Sequence, residues 1–287
     1  MKIYTARGSG FCFGVKRAIG MAYKCALAEK KGSVYSFHEI IHNPQEVKRL
    51  EDAGAMRVDD TAGLKAGSTV IVSTHGITPA EEAGLKAKGL RELDTTCPYV
   101  KKIHQIVRRL AAEDYNIVIV GDRKHLEVKG ILGHAGRRGT VVTDEADIKK
   151  VRLGKKTGIV SQTTQNIEVY VRLAGALVKK AIEARQAEVR VFHTICGATQ
   201  KRQEATAGLA KEVDVMVIIG GKNSANTKRL YELSRKILKD VHHIESGKEL
   251  KRAWFKGKKA VGISGGASTP DNVIEGIAEK IREIGEN

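Results

Sequence analysis

Short runs of consecutive apolar, mostly β-branched residues alternate along this chain with segments whose apolar positions recur every three to four residues. The runs predict strands at 2–5, 33–36, 69–73, 116–120, 157–160, 189–192, 214–219 and 260–263. The helical periodicity predicts helices over 15–30, 44–53, 100–113, 167–185, 205–211, 227–239 and 272–284. Continuous apolar strands separated by helices read as α/β architecture with largely parallel sheets covered on both faces. The chain has only 4 Pro and no Gly/Ser-rich linker, so its internal borders must come from another pattern.

That pattern is a repeat. Cys12, Cys97 and Cys196 recur at long, similar intervals, and each opens a helical segment. Basic residues follow about one turn on: Lys16 and Arg17, Lys101 and Lys102, Lys201 and Arg202. Each segment then reaches a glutamate at a similar offset: Glu29, Glu113 and Glu212. Further along each third, a predicted strand runs into a polar cluster: His42-Asn43-Pro44, His125-Leu126-Glu127 and Asn223-Ser224-Ala225-Asn226. A second strand ends in another: Ser73-Thr74-His75-Gly76, Ser161-Gln162-Thr163-Thr164 and Ser264-Gly265-Gly266-Ala267-Ser268. Ligands of open α/β sheets sit beyond the carboxyl ends of the strands. The repeat therefore predicts three similar α/β lobes, 13–96, 97–195 and 196–287 with 1–12, in a pseudo-threefold trefoil around a central metal cluster.

A thiol at a helix N-terminus beside Lys or Arg tends toward the thiolate that a metal needs. None of the three cysteines forms a C-x-x-C pair, so local zinc-finger and ferredoxin signatures are absent. An isolated cysteine is more often a small buried hydrophobe, but the repeated context favours a shared centre, and an iron–sulfur cluster fits it. Three ligands leave one iron of a four-iron cluster open, as a catalytic metal site requires. Cys25 lacks the repeat context and reads as an ordinary packed thiol.

His42, His75 and His125 fall at predicted strand ends. In a chain of net charge +17 they fit an anionic oxygen ligand; zinc is the competing reading, without H-x-x-x-H or H-E-x-x-H spacing to support it. His38, His104, His134, His193, His242 and His243 read as surface residues. Glu127 is the carboxylate of these polar clusters. In an extended segment it faces the same side as His125, and a carboxyl group in a dry pocket can donate protons near neutrality. Segments 219–227 and 264–268 each follow a strand and open a helix, which makes them candidate anion cradles. Together with His42 and His75 they predict a diphosphate pocket.

Composition removes some alternatives. The 50 Lys plus Arg allow an anionic small molecule, an acidic protein partner or nucleic acid, but 5% aromatic residues give few stacking platforms for bases. No recognisable nucleic-acid-binding motif is present. The apolar stretches are strand-sized and far short of a membrane span, and the N-terminus has no signal-peptide core. Four cysteines without a disulfide framework fit a reducing compartment. The expectation is a cytoplasmic protein that binds neither membrane nor nucleic acid. A zinc-dependent phosphate-ester hydrolase and a basic nucleic-acid-binding protein are the rival classes.

The motifs resemble the 4-hydroxy-3-methylbut-2-enyl diphosphate reductase family over nearly the whole chain. The resemblance is carried by Gly10-Phe-Cys-Phe-Gly-Val-Lys-Arg-Ala18, His42-Asn-Pro-Gln-Glu-Val47, Ser73-Thr-His-Gly76, Asp94-Thr-Thr-Cys-Pro98, His125-Leu-Glu-Val128, Gln162-Thr-Thr164, Thr194-Ile-Cys196, Lys222-Asn-Ser-Ala-Asn226 and Gly265-Gly-Ala-Ser-Thr-Pro-Asp271. It implies a trefoil of three α/β domains and a [4Fe-4S] cluster on Cys12, Cys97 and Cys196, with one open iron. It implies that His42, His75, Ser224, Asn226 and Ser268 hold the diphosphate and that His125 lines the pocket. Glu127 would deliver protons, with Thr163 against the substrate hydroxyl. The implied reaction is two-electron reductive dehydroxylation to isopentenyl and dimethylallyl diphosphate, the last step of the methylerythritol phosphate route, with ferredoxin or flavodoxin as donor. Ala225 stands where relatives often carry Ser, leaving a backbone N–H contact there, and Leu126 where Pro is common. Many relatives are longer, and the expectation is a compact version with no appended domain.

Overall fold

The computed structural model describes residues 1–185 and 188–286. In chain order the elements are β1 (Lys2–Thr5), α1 (Phe13–Ala28), β2 (Val34–Phe37), α2 (Pro44–Asp52), β3 (Ala55–Val58), β4 (Thr69–Val72), α3 (Pro79–Ala87), β5 (Arg91–Asp94) and α4 (Pro98–Ala112). There follow β6 (Asn116–Val120), α5 (Leu126–Ala135), β7 (Gly139–Val142), α6 (Glu145–Lys150), β8 (Lys156–Ser161), α7 (Ile167–Glu183) and β9 (Glu188–Val191). The last elements are α8 (Gly197–Ala210), β10 (Val215–Ile219), α9 (Ala225–Ile237), β11 (Val241–Ile244), β12 (Ala260–Gly265) and α10 (Asp271–Glu286).

The chain folds into two compact units. Unit 1 comprises Met1–Lys16, Ile41–Glu46 and Gly197–Asn287; unit 2 comprises Arg17–Ile40 and Val47–Cys196. Unit 1 holds one four-stranded sheet, β11-β10-β12-β1, and unit 2 holds two, β3-β2-β4-β5 and β7-β6-β8-β9. Every strand pair is parallel. The three sheets share one order. A first strand (β2, β6 or β10) lies between a second (β3, β7 or β11) and a third (β4, β8 or β12), and a fourth (β5, β9 or β1) lies beyond the third. The crossover reverses direction between first and third strands, so each sheet has a switch point there, with a crevice at the strands' carboxyl ends.

The inner strands are almost entirely buried: Val70, Ile71, Val118, Ile119, Val217 and Ile218 have essentially no exposed surface. Helices on both faces cover them, which is why their sequences are continuous apolar runs. The structure adds four strands to those expected, β3, β5, β7 and β11, and all four are sheet edges. An edge strand has one flank in water and tolerates polar residues, here Arg57, Arg91, Glu92, His242 and His243, so its pattern resembles a loop.

Helices α3, α5 and α6 are also additional. α3 opens with a capping box, in which Thr78 Oγ1 accepts from Glu81 N–H and Glu81 Oε2 accepts from Thr78 N–H. α5 is masked in sequence by Gly130 and Gly133. A Cβ on Gly133 would stand 2.5 Å from Thr78 Cγ2, and one on Gly130 would stand 3.4 Å from His104 Nε2. α8 starts well before the expected 205 because its early inward face is polar, with Thr199, Arg202, Gln203 and Thr206 buried.

His104 and His134 are not surface residues. His104 on α4 is 5% exposed, its ring meets that of half-buried His134 at 4.1 Å with the planes tilted by 38°, and its Cε1 lies 2.7 Å from where a Cβ on Gly76 would stand. Burial pushes the His104 pKa down to about 3, and His134 and Arg108 act in the same direction. The unfolded chain carries an ordinary histidine near 6.5 and binds a proton there that the folded chain does not. Stability from this group is therefore complete above 6.5 and falls as pH drops toward 3. Chemical denaturation at a series of pH values should show His104→Gln flattening the slope between pH 6 and 4 by up to about one proton.

Candidate active site

In all three cysteine segments the thiol-bearing residue immediately precedes a helix: Cys12 before α1, Cys97 before α4 and Cys196 before α8. All three are partly exposed. Each follows the fourth strand of a sheet, and each donates its backbone N–H to a carbonyl in the loop after the third strand. The bonds are Cys12 N to Ala267 O at 3.3 Å, Cys97 N to Thr74 O at 3.0 Å and Cys196 N to Thr163 O at 2.9 Å.

Within unit 1, the loops after β10 and β12 meet at the switch point. Gly266 N and Thr269 Oγ1 both donate to Ile219 O, each at 2.9 Å. A Cβ on Gly266 would lie 2.2 Å from Thr227 Oγ1, so the close approach requires glycine. Asn43 Nδ2 donates to Ser268 O at 2.8 Å, and Ser268 Oγ donates to His42 O at 3.1 Å. The unit thus brings His42, Ser268 and the start of α9 to one crevice. Ser224 is the N-cap of α9 and accepts from Thr227 N–H at 3.3 Å. Ala225 and Asn226 follow in the first turn, where backbone N–H groups have no partner within the helix. Asn226 is 4% exposed, and neither its Oδ1 nor its Nδ2 has a hydrogen-bond partner. Two buried, unpaired amide atoms beside a helix N-terminus are costly unless a ligand meets them.

Within unit 2, the corresponding loops of the two sheets form a line of contacts from the main chain of one cysteine to that of the other. Cys97 is tied to Thr74, whose neighbours Ser73 and His75 contact each other, Ser73 Oγ lying 3.3 Å from His75 Nδ1. The His75 and His125 rings meet edge to face at 5.2 Å. His125 is the N-cap of α5, its Nδ1 accepting from Glu127 N–H at 3.1 Å, which in the neutral ring leaves the proton on Nε2. Glu127 is 2% exposed; its Oε1 accepts from Thr163 N–H at 2.6 Å and its Oε2 from Thr163 Oγ1–H at 2.7 Å. Thr163 O then receives the Cys196 N–H.

Residues 125–127 are therefore not an extended segment. They form a capped helix start, and the side chains of His125 and Glu127 are related through the cap. Leu126 occupies the first helical position, where proline is favoured but not required, so its departure from the family pattern leaves no loose loop.

Several positions named in the sequence motifs had no role assigned to them. Gln162 Oε1 accepts from Asp122 N–H at 3.1 Å, and its side chain crowds the position of a Cβ on Gly121, fixing the two loops of that sheet together. Thr194 Oγ1 accepts from Ser161 N–H at 2.7 Å and pins the approach to Cys196. The basic residues after each cysteine have separate duties: Lys16 pairs with Asp271 at 3.0 Å and Lys101 pairs with Asp94, whereas Arg17 and Arg202 reach main-chain carbonyls. A repeated spacing signals position, but not which neighbour an arginine reaches.

Among the described residues no helix is long and apolar enough to cross a membrane.

Comparison with known proteins gives matches over nearly the full chain. A family model described as LytB protein matches residues 3–282. A 4-hydroxy-3-methylbut-2-enyl diphosphate reductase of Aquifex aeolicus is 47% identical over 285 residues, covering 98% of this chain and 96% of that protein. One of Campylobacter fetus is 43% identical, covering 99% and 98%. Among solved structures, one of (E)-4-hydroxy-3-methyl-but-2-enyl diphosphate reductase, the terminal enzyme of the non-mevalonate pathway, aligns with TM-score 0.71 at 46% identity, covering 99% of this chain and 100% of that one. The Plasmodium falciparum reductase structure aligns with TM-score 0.91 at 28% identity, covering 97% and 87%. With a matched model spanning almost every residue and relatives this similar end to end, the chain belongs to the LytB family of 4-hydroxy-3-methylbut-2-enyl diphosphate reductases.

Proposed function

We propose that this protein reduces 4-hydroxy-3-methylbut-2-enyl diphosphate to isopentenyl and dimethylallyl diphosphate. Membership of the family supports the reaction, and the Glu127–Thr163 pair tied to Cys196 carries it chemically. Overall, one C–O bond breaks, two electrons and two protons are taken up, and water leaves.

Cys12, Cys97 and Cys196 are the proposed ligands of a [4Fe-4S] cluster. The residues fit such a group: three partly exposed thiols, each at the start of a helix whose N–H dipoles favour negative charge, each held by its own main-chain bond. When bound, a cluster with three thiolate ligands supplies electrons singly and one iron open as a Lewis acid.

The chain's other residues bind substrate and handle protons. Ser224, the N–H groups of Ala225 and Asn226, the Asn226 amide, Ser268 and His42 receive the diphosphate, and the helix N-terminus of α9 favours its charge. His75 and His125 line the pocket, His125 offering Nε2–H as a donor. Holding the diphosphate end orients the remote hydroxyl, so binding there contributes to rate. Glu127 holds the proton for the departing oxygen. In its ionised form both carboxylate oxygens accept from Thr163. When Oε2 carries a proton, the Thr163 hydroxyl accepts it and turns its own hydrogen toward the substrate oxygen. Thr163 thus relays the proton and positions the hydroxyl. An acidic electron donor, a ferredoxin or flavodoxin, suits the charge of +17.

Anaerobic purification with iron and sulfide assays tests the reading, followed by turnover with a chemical reductant. About four iron and four sulfide per chain are expected; a colourless zinc protein, or turnover without iron, would end it. Glu127→Gln keeps the side chain's shape, and should retain iron content while lowering kcat by about 10²- to 10⁴-fold. Asn226→Leu removes two unpaired buried polar atoms. Thermal melts should show the free protein at least as stable as wild type, while titration shows substrate bound at least about tenfold more weakly.

A further inference from the structure

Arg202 lies on α8 in unit 1 and is 3% exposed, a burial that arginine adopts almost only when its charge is engaged. Its Nε donates to Gly8 O at 2.6 Å and its Nη2 to Gly10 O at 2.7 Å. The planar guanidinium presents two parallel donors in a fixed fork. The turn matches it: Gly8 and Gly10 have φ of +74° and +97°, and a Cβ on Gly10 would lie 1.9 Å from Asp271 Oδ1. Only glycine fits there, and this conformation turns both carbonyls toward one side chain. The same turn is tied by Ser9 N–H to Ala6 O at 3.2 Å and ends in Cys12, whose N–H reaches Ala267 O.

Unit 2 contains a parallel arrangement. Arg17 Nη1 donates to Thr96 O at 3.3 Å, the carbonyl immediately before Cys97. A guanidinium on the main chain next to a cysteine is thus a device used twice.

We propose that Arg202 is a positioning residue that clamps the turn carrying Cys12 and so directs that thiol. The proposal rests on the reading of Cys12 as a cluster ligand. It gives a buried charge a task that helix packing alone does not require.

The test uses the full chain with Arg202→Met and Arg202→Lys, followed by amide hydrogen exchange. Arg202→Met should speed exchange at Ser9 and Cys12 by at least about tenfold, Arg202→Lys by less, while amides of β10 keep wild-type rates. After anaerobic reconstitution, loss of iron to a chelator should follow the same order, with Lys partly rescuing what Met loses. A space-filling role predicts no difference between the two, because Met replaces the buried stem as well as Lys does. Unchanged exchange at Ser9 and Cys12 in a folded variant, or Met equal to Lys in both measurements, overturns the clamp. If Arg202→Met does not fold, Arg202→Lys decides alone: faster exchange confined to residues 7–12 supports the clamp, and unchanged exchange rejects it. A wild-type chain that takes up no iron removes the cluster reading instead, and leaves the exchange order to judge Arg202.

Discussion

The N–H of each of the three repeated cysteines is bonded to a carbonyl in the loop beyond a sheet's third strand, and the site depends on that bond. It occurs three times, at Cys12, Cys97 and Cys196, at 2.9 to 3.3 Å. It exists because the sheets are parallel and share one strand order. In such a sheet the third and fourth strands end side by side, so a residue just past the fourth reaches the loop just past the third. The next residues begin a helix, which fixes the thiol at the positive end of a peptide dipole. The same carbonyl loops also carry His75, Thr163 and Ser268, so the bond that holds each thiol also sets its distance from the polar groups of its own sheet.

This arrangement places many polar groups out of water. Glu127, Asn226, His104 and Arg202 are each at least nine-tenths buried. They are tolerated for different reasons. Glu127 has both oxygens satisfied by one residue, and Arg202 fits a fork to two carbonyls. His104 stays neutral. Asn226 has neither atom satisfied, a cost that a ligand meeting both atoms would offset. The inner strands offset these costs with nearly continuous apolar burial.

The difference between what the sequence revealed and what it concealed follows from burial. Inner strands such as β6 and β10 are enclosed on both faces and read clearly as Asn-Ile-Val-Ile-Val and Val-Met-Val-Ile-Ile. The edge strands β3, β5, β7 and β11 have water along one flank and read as loops. The cysteines' places at helix starts were legible because the repeat gave them the same neighbours. For α8 only that repeat marked the start, since the face it buries carries Thr199, Arg202 and Gln203, and a periodicity of apolar residues cannot register a polar interior. α5 was hidden by glycines present for close packing rather than for flexibility, and with it the helical setting of Glu127. His104 looked like a surface histidine because sequence does not disclose that Gly76 and Gly130 make room for its ring.

The shared topology does not carry shared chemistry, and charge explains the division. The crevice of β10 and β12 offers hydroxyls, an amide and the N–H groups of α9, all suited to an anion. A carboxylate among them would compete for the same donors and repel a diphosphate. Glu127 stands instead at the start of α5, in the crevice of β6 and β8, where its donors come from Thr163 and no anion cradle is needed. On the proposed roles, the residues that would hold charge are separate from the residue that would move a proton, so each crevice serves one task. The repeated main-chain bonds keep the thiols in equivalent positions while the side chains around them differ.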